Sequence, residues 1–151
     1  MNVPSAACRT RRTRVRGGYA GLTQLGLQEA KNHRLNTGNT DLVGKIWVFD
    51  PADERFDPAK SLNAGAAYYV EGRDTAQKTV FQHFEDDAPE DQYDKFGLAI
   101  YNLGSGTVSN AHKLARDDGK TDATWEDLIE NGTDSFLCQA MPDNWNHAAK
   151  Y

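Results

Sequence analysis

The chain has 151 residues, 38% of them hydrophobic and 26% charged, which suits a single domain with a sizeable core. A mean hydropathy of −0.73 describes a soluble protein, and no apolar run approaches the length that crosses a membrane. The net charge of −5 hides an asymmetry: residues 1–28 hold Arg9, Arg11, Arg12, Arg14 and Arg16 and no acid, so residues 29–151 carry about −10. An acidic body disfavours nucleic acid as a partner, because phosphate binding needs a cationic surface.

Cys8 and Cys138 match no metal-ligand spacing, and one distant pair leaves the redox compartment open. The segment Met1 to Cys8 lacks the leading positive charges and the apolar stretch of a secretory signal, so none is readable. Residues 1–17 form an atypical arginine-rich segment, and residues 18–151 read as one domain.

In chain order, Leu22, Leu25, Leu27 and Ala30 predict a helix from about Leu22 to His33. Asn36 to Thr40 is a turn-rich loop, and Ile46-Trp47-Val48-Phe49 is β-prone, one strand of a small hairpin. Asp57-Pro58 marks a helix start, since aspartate accepts an orphan backbone N–H and proline has none to leave unsatisfied. That helix is expected to run to Glu71 and stop at Gly72, followed by an amphipathic piece with Gln77, Val80, Phe81 and Phe84.

Beyond the acidic loop Glu85 to Asp91, the spacing of Tyr93, Phe96, Ile100 and Leu103 predicts a helix ending near Gly104. Val108, Ala111, His112 and Ala115 predict the next. Thr124 to Asp127 resembles a capping box opening a helix with Leu128 and Ile129 that closes at Gly132. Phe-Asp-Pro-Ala occurs at 49–52 and 56–59, a single repetition too short to mean a repeat architecture. The four histidines share no zinc-type spacing, no nucleophile elbow is present, and Trp47, Trp125 and Trp145 read as packing anchors.

Three segments carry a resemblance. Gly18-Tyr19-Ala20-Gly21-Leu22-Thr23-Gln24 is similar to G-A-x-G-L-M-Q, with Thr23 in place of methionine. Asp57 to Tyr69 matches D-P-x-x-N-I-x-A-G-x-x-Y-L, and Leu98 to Val108 is close to A-x-A-Y-N-A-G-x-G-x-V. Each alone is weak, but their order over about 90 residues is specific. Together they resemble the soluble lytic transglycosylase family, which cleaves the β-1,4 MurNAc-GlcNAc bond of peptidoglycan to a 1,6-anhydro product.

The resemblance implies a mainly α, lysozyme-like domain with a small β element, acting without metal or cofactor on peptidoglycan glycan strands. It places that action at the cell wall, whether periplasmic, extracellular or phage-delivered. Gly21 would let backbone pass close to a sugar or a neighbouring helix, Gln24 would bond hydroxyl and acetamide groups, and Asn102 would line the groove. Tyr69, or its neighbour Tyr68, would offer an aromatic face, although the place of Tyr69 seven residues after Leu62 also fits a core position. Tyr101 matches the tyrosine that orients the family's catalytic glutamate, and it lies at the margin of the Tyr93–Leu103 stripe.

The glutamate itself is expected about fifteen residues before Gly21, where this chain has Ala6, and no Asp or Glu occurs before Glu29. Protonating a glycosidic leaving group needs a carboxylic acid, so the chain as written is expected to be inactive. The shift to acid-free sequence just ahead of a well-matched motif favours a fragment or a shifted reading frame over a native pseudoenzyme. A non-catalytic peptidoglycan-binding module and a goose-type lysozyme relative are the alternatives.

Overall fold

The computed structural model describes residues 18–141, which fall into two compact units, residues 18–69 and residues 70–141. The architecture is mainly α with one small antiparallel sheet.

In residues 18–69 the first helix, α1, spans Leu27–Asn32, so the helix expected from Leu22 begins five residues late. The reason lies in Gly21 to Gln24, which form a tight turn closed by a bridge between Ala20 and Leu25. Gly21 and Gln24 both have positive φ, +76° and +52°, which no continuing helix can accommodate. Strands β1 (Asp41–Val43) and β2 (Ile46–Val48) pair with Leu42 opposite Trp47. Gly44, φ +64°, opens their two-residue turn.

Helix α2, Pro58–Thr79, starts where the sequence predicts: the Asp57 carboxylate accepts the Lys60 N–H at 3.0 Å. It does not stop at Gly72. That glycine is an interior helical position where a Cβ would lie 2.8 Å from the Gly97 carbonyl oxygen, so it serves close helix contact instead of termination.

In residues 70–141 the second half of α2 is followed by a 3₁₀ turn at Phe81–His83, then α3 (Glu90–Leu103) and α4 (Ser105–Asp117). The short helices α5 (Trp125–Ile129) and α6 (Phe136–Ala140) complete it, and α5 ends before the expected Gly132. The Thr124–Asp127 capping box is present, with Asp127 N–H bonded to the threonine hydroxyl and Thr124 N–H to the carboxylate.

Here the core is apolar. Phe96, Val80, Val108 and Leu128 are fully buried, and Phe81, Ile100, Leu137 and Met141 join them. Phe96 meets Phe81 and Trp125 edge-on, with centroids 5.3 and 5.9 Å apart. Buried Gln92 ties α3 to α5 by accepting the Trp125 N–H at 2.8 Å. Cys138 is buried and is not a free thiol; Cys8 lies outside the described residues. No helix among the described residues is long and apolar enough to cross a membrane.

Candidate functional site

The first motif, Gly18 to Gln24, is a turn held from beneath by two charges. Arg55, in a 3₁₀ turn at Glu54–Phe56, is wholly buried together with Asp53. Its Nη1 donates to the Gly18 carbonyl and, at 3.0 Å, to that of Leu25, so one guanidinium spans both ends of the turn. Its Nη2 and Nε donate to the Asp53 carboxylate at 2.6 and 3.0 Å. Thr40 Oγ1 donates to the same carboxylate at 2.7 Å and accepts the Asp50 N–H at 2.9 Å, which joins the strand region to the clamp.

Burial alone would raise the Asp53 pKa, but hydrogen bonds from Arg55 and Thr40 outweigh it and hold the carboxyl below its usual range. A buried pair of this kind is costly to desolvate and tolerable only when its remaining donors and acceptors are satisfied. Here the Gly18 and Leu25 carbonyls supply those acceptors.

The turn is also docked on α2. Thr23 Oγ1 donates to the Ser61 carbonyl at 3.0 Å, and its methyl lies over Gly65, where a Cβ would approach within 2.4 Å. A Cβ on Gly21 would sit 2.0 Å from the Arg55 carbonyl oxygen. Gly21 therefore meets a close backbone approach within the protein. The exposed Gln24 side chain donates to the Gly21 carbonyl at 2.8 Å, which braces the turn.

Of the other expected site residues, Tyr69 is half-buried on α2. Leu62, seven residues earlier, is 54% exposed, so that face is not a core face at its start. Tyr101 is half-buried on α3, at the margin of a stripe whose centre, Phe96 and Ile100, is buried. Asn102 follows it, exposed, with its carboxamide donating to the Leu98 carbonyl at 2.8 Å. Thus Gly21 and Gln24 share one turn, and Tyr101 and Asn102 share the end of α3. Ala6 lies outside the described residues.

Among the described residues, each carboxyl with a displaced pKa is displaced downward. Asp91 and Glu126 are held low by hydrogen bonds from Lys95, Glu54 by one from Lys60, and Asp50 by the backbone N–H groups of Asn39 and Ala52. Asp127 is lowered too, its burial outweighed by the Thr124 N–H and hydroxyl. A general acid needs the opposite shift.

Sequence reasoning missed Asp53 and Arg55. Two opposite charges two residues apart look like a solvated loop; the hint was their place between a β-prone run and the Asp57-Pro58 cap.

The chain is similar to proteins named membrane-bound lytic murein transglycosylase F. That of Shewanella loihica is 36% identical over 76 residues, covering 50% of this chain and 14% of the relative. That of Ectopseudomonas mendocina is 31% identical over 113 residues, 71% of this chain and 22% of the relative. That of Pseudomonas putida is 29% identical over 136 residues, 86% of this chain and 25% of the relative. The chain thus spans a quarter or less of the length of these curated relatives. No family model matches the chain, and no solved structure does.

Proposed function

With a sequence that places this chain in the lytic transglycosylase family, we propose that it is part of a peptidoglycan transglycosylase domain that grips glycan strands. As written, it does not cleave them. The observation that carries the reading is the clamped turn, because it falls on the first matched motif and ties Gly21 and Gln24 into one hydrogen-bonded geometry.

In such a domain the reaction runs through one carboxylic acid. It protonates the glycosidic oxygen, then as carboxylate takes the proton of the sugar's own 6-hydroxyl, which closes the 1,6-anhydro ring. Tyr101 is the residue assigned to orient that acid, its phenol half-buried at the helix margin. Gln24, Asn102 and Tyr69 are assigned to the glycan. The acid is missing: Ala6 stands where it is expected, and Glu29 is the first carboxylate in the chain. The downward displacement of the perturbed carboxyls supports the view that none of them substitutes.

The test is to incubate the purified chain with peptidoglycan sacculi and assay both phases. Co-sedimentation with no soluble muropeptide is expected, with weaker sedimentation of Gln24→Ala and Tyr101→Ala variants. Anhydro muropeptides in the supernatant would overturn the inactive reading, and products with reducing ends would point to hydrolysis by water. If the wild type stays in the supernatant, the grip itself is wrong.

A further inference from the structure

A concavity of about 510 Å³ lies within residues 18–69, between the end of α1, Glu54 and the first turns of α2, and no residue assigned to the glycan lines it. Its volume is in the range of small-ligand sites. One wall is rigid: Glu54 N–H donates to the Asn36 carbonyl at 2.8 Å, and the Glu54 carboxylate accepts the Asn36 N–H at 2.7 Å and Lys60 Nζ. The floor is apolar and low, made by Leu35 and the buried Ala64.

Two lining groups are unspent. Among the described residues, the Arg34 guanidinium and the Asn63 carboxamide have no side-chain hydrogen bond and no ion pair, and both residues are exposed. Arg34 has φ +63°, the left-handed position that closes α1, where its N–H donates to the Lys31 carbonyl at 3.0 Å and the Leu35 N–H to that of Ala30 at 2.9 Å; glycine adopts that position more readily. An arginine with an idle fork, at the rim of a concavity, is a reason to look for its partner.

We infer that this concavity is a second saccharide site, taking an N-acetylated sugar that carries a carboxylate. The planar guanidinium of Arg34 matches a carboxylate through two parallel N–H donors. The Asn63 carboxamide, donor and acceptor at once, matches an acetamide, and the alanine floor receives its methyl group. The glutamate on the wall is already occupied by Lys60, so it does not repel the anion as an unpaired acid would. The inference rests on the proposed glycan grip only for the polymer that would supply such a sugar.

The experiment is an amide NMR titration of the chain with N-acetylmuramic acid and, separately, with N-acetylglucosamine, which lacks the carboxylate. Shifts should gather at residues 34–36 and 60–64, with affinity for the neutral sugar about tenfold lower, the scale of one charge-assisted contact. Arg34→Gly separates binding from folding, because it relieves the backbone while removing the fork. It should keep or raise the thermal midpoint and weaken N-acetylmuramic acid binding about tenfold. Asn63→Ala should weaken both sugars alike. Equal affinity for the two sugars, binding unchanged in Arg34→Gly, or no shifts at these residues would overturn the site. If those occur while the chain still sediments with peptidoglycan, only this site falls. If the sugar titration succeeds while sedimentation fails, the site stands and the polymer reading falls.

Discussion

Residues 18–69 and residues 70–141 are held together by different forces. In the second unit, buried side chains such as Phe96, Val80, Val108 and Leu128 build one continuous apolar core. In the first, the buried apolar residues are Ala20, Leu25, Ala30 and Ala64, while Thr37, Thr40, Asp53, Arg55 and Ser61 are buried polar groups. Eight of the ten large apolar residues left exposed among the described residues also belong to the first unit. A region with so little apolar burial gains little from the hydrophobic effect, and its shape depends on hydrogen bonds made in a dry environment. The comparison teaches that two of the matched motifs, the Gly18 turn and the Tyr101 helix, answer to different perturbations.

The sharpest way to break this comparison is Asp53→Ala. It leaves the buried guanidinium uncompensated and should cost about 3–5 kcal/mol, the range for removing one partner of a buried pair. Amide exchange should show the loss first at Ala20 and Leu25, with protection in α3 and α4 retained. If Asp53→Ala is no worse than a surface substitution, the clamp is not what holds the turn.

A second test uses pH. His112 is fully buried, stacked against Phe84 and near His83. Desolvation, then the charges of Arg116 and His83, push its pKa down to about 4, against a smaller upward pull from Asp122. The folded state therefore keeps the ring neutral, while the unfolded chain protonates it below about 6.5. Stability of residues 70–141 is fully present above that value and falls as pH drops toward about 4, by at most about 3 kcal/mol. The Asp53 contribution behaves otherwise: its lowered pKa keeps it intact until the pH passes below the ordinary aspartate value of 3.8. Urea unfolding between neutral and mildly acidic pH should weaken the second unit first, and His112→Phe should flatten that slope. An unchanged slope in the variant would remove His112 from the account.

The smallest expected effect is Thr124→Ala. It removes a helix cap worth about 1 kcal/mol and should lower protection in α5 alone. A loss that reached residues 18–69 would mean the two units are not energetically distinct.

How much of this was legible beforehand follows the same division. In residues 70–141 the apolar spacing located α3 and α4 and the capping box located α5, because burial there repeats with the helical period. In residues 18–69 the Asp57-Pro58 start and the hairpin strand were legible from local chemistry. The helix from Leu22 was not, since its leucines imitate a periodic face while two positive φ angles break it. Gln24 and Tyr101 were singled out as candidates through motifs, whereas Asp53 and Arg55 were not. Their significance depends on carbonyls 30 and more residues away, which no local pattern encodes.

One small feature has a long reach. Gly72 lies against Gly97 so tightly that a methyl group on the former would collide with the latter's peptide oxygen. Tyr101 stands four residues beyond Gly97, one helical turn along the same side of α3. Two hydrogen atoms thus act as a spacer gauge for the phenol. Any larger residue at position 72 would lift α3 and carry its aromatic hydroxyl outward with it, without touching the phenol.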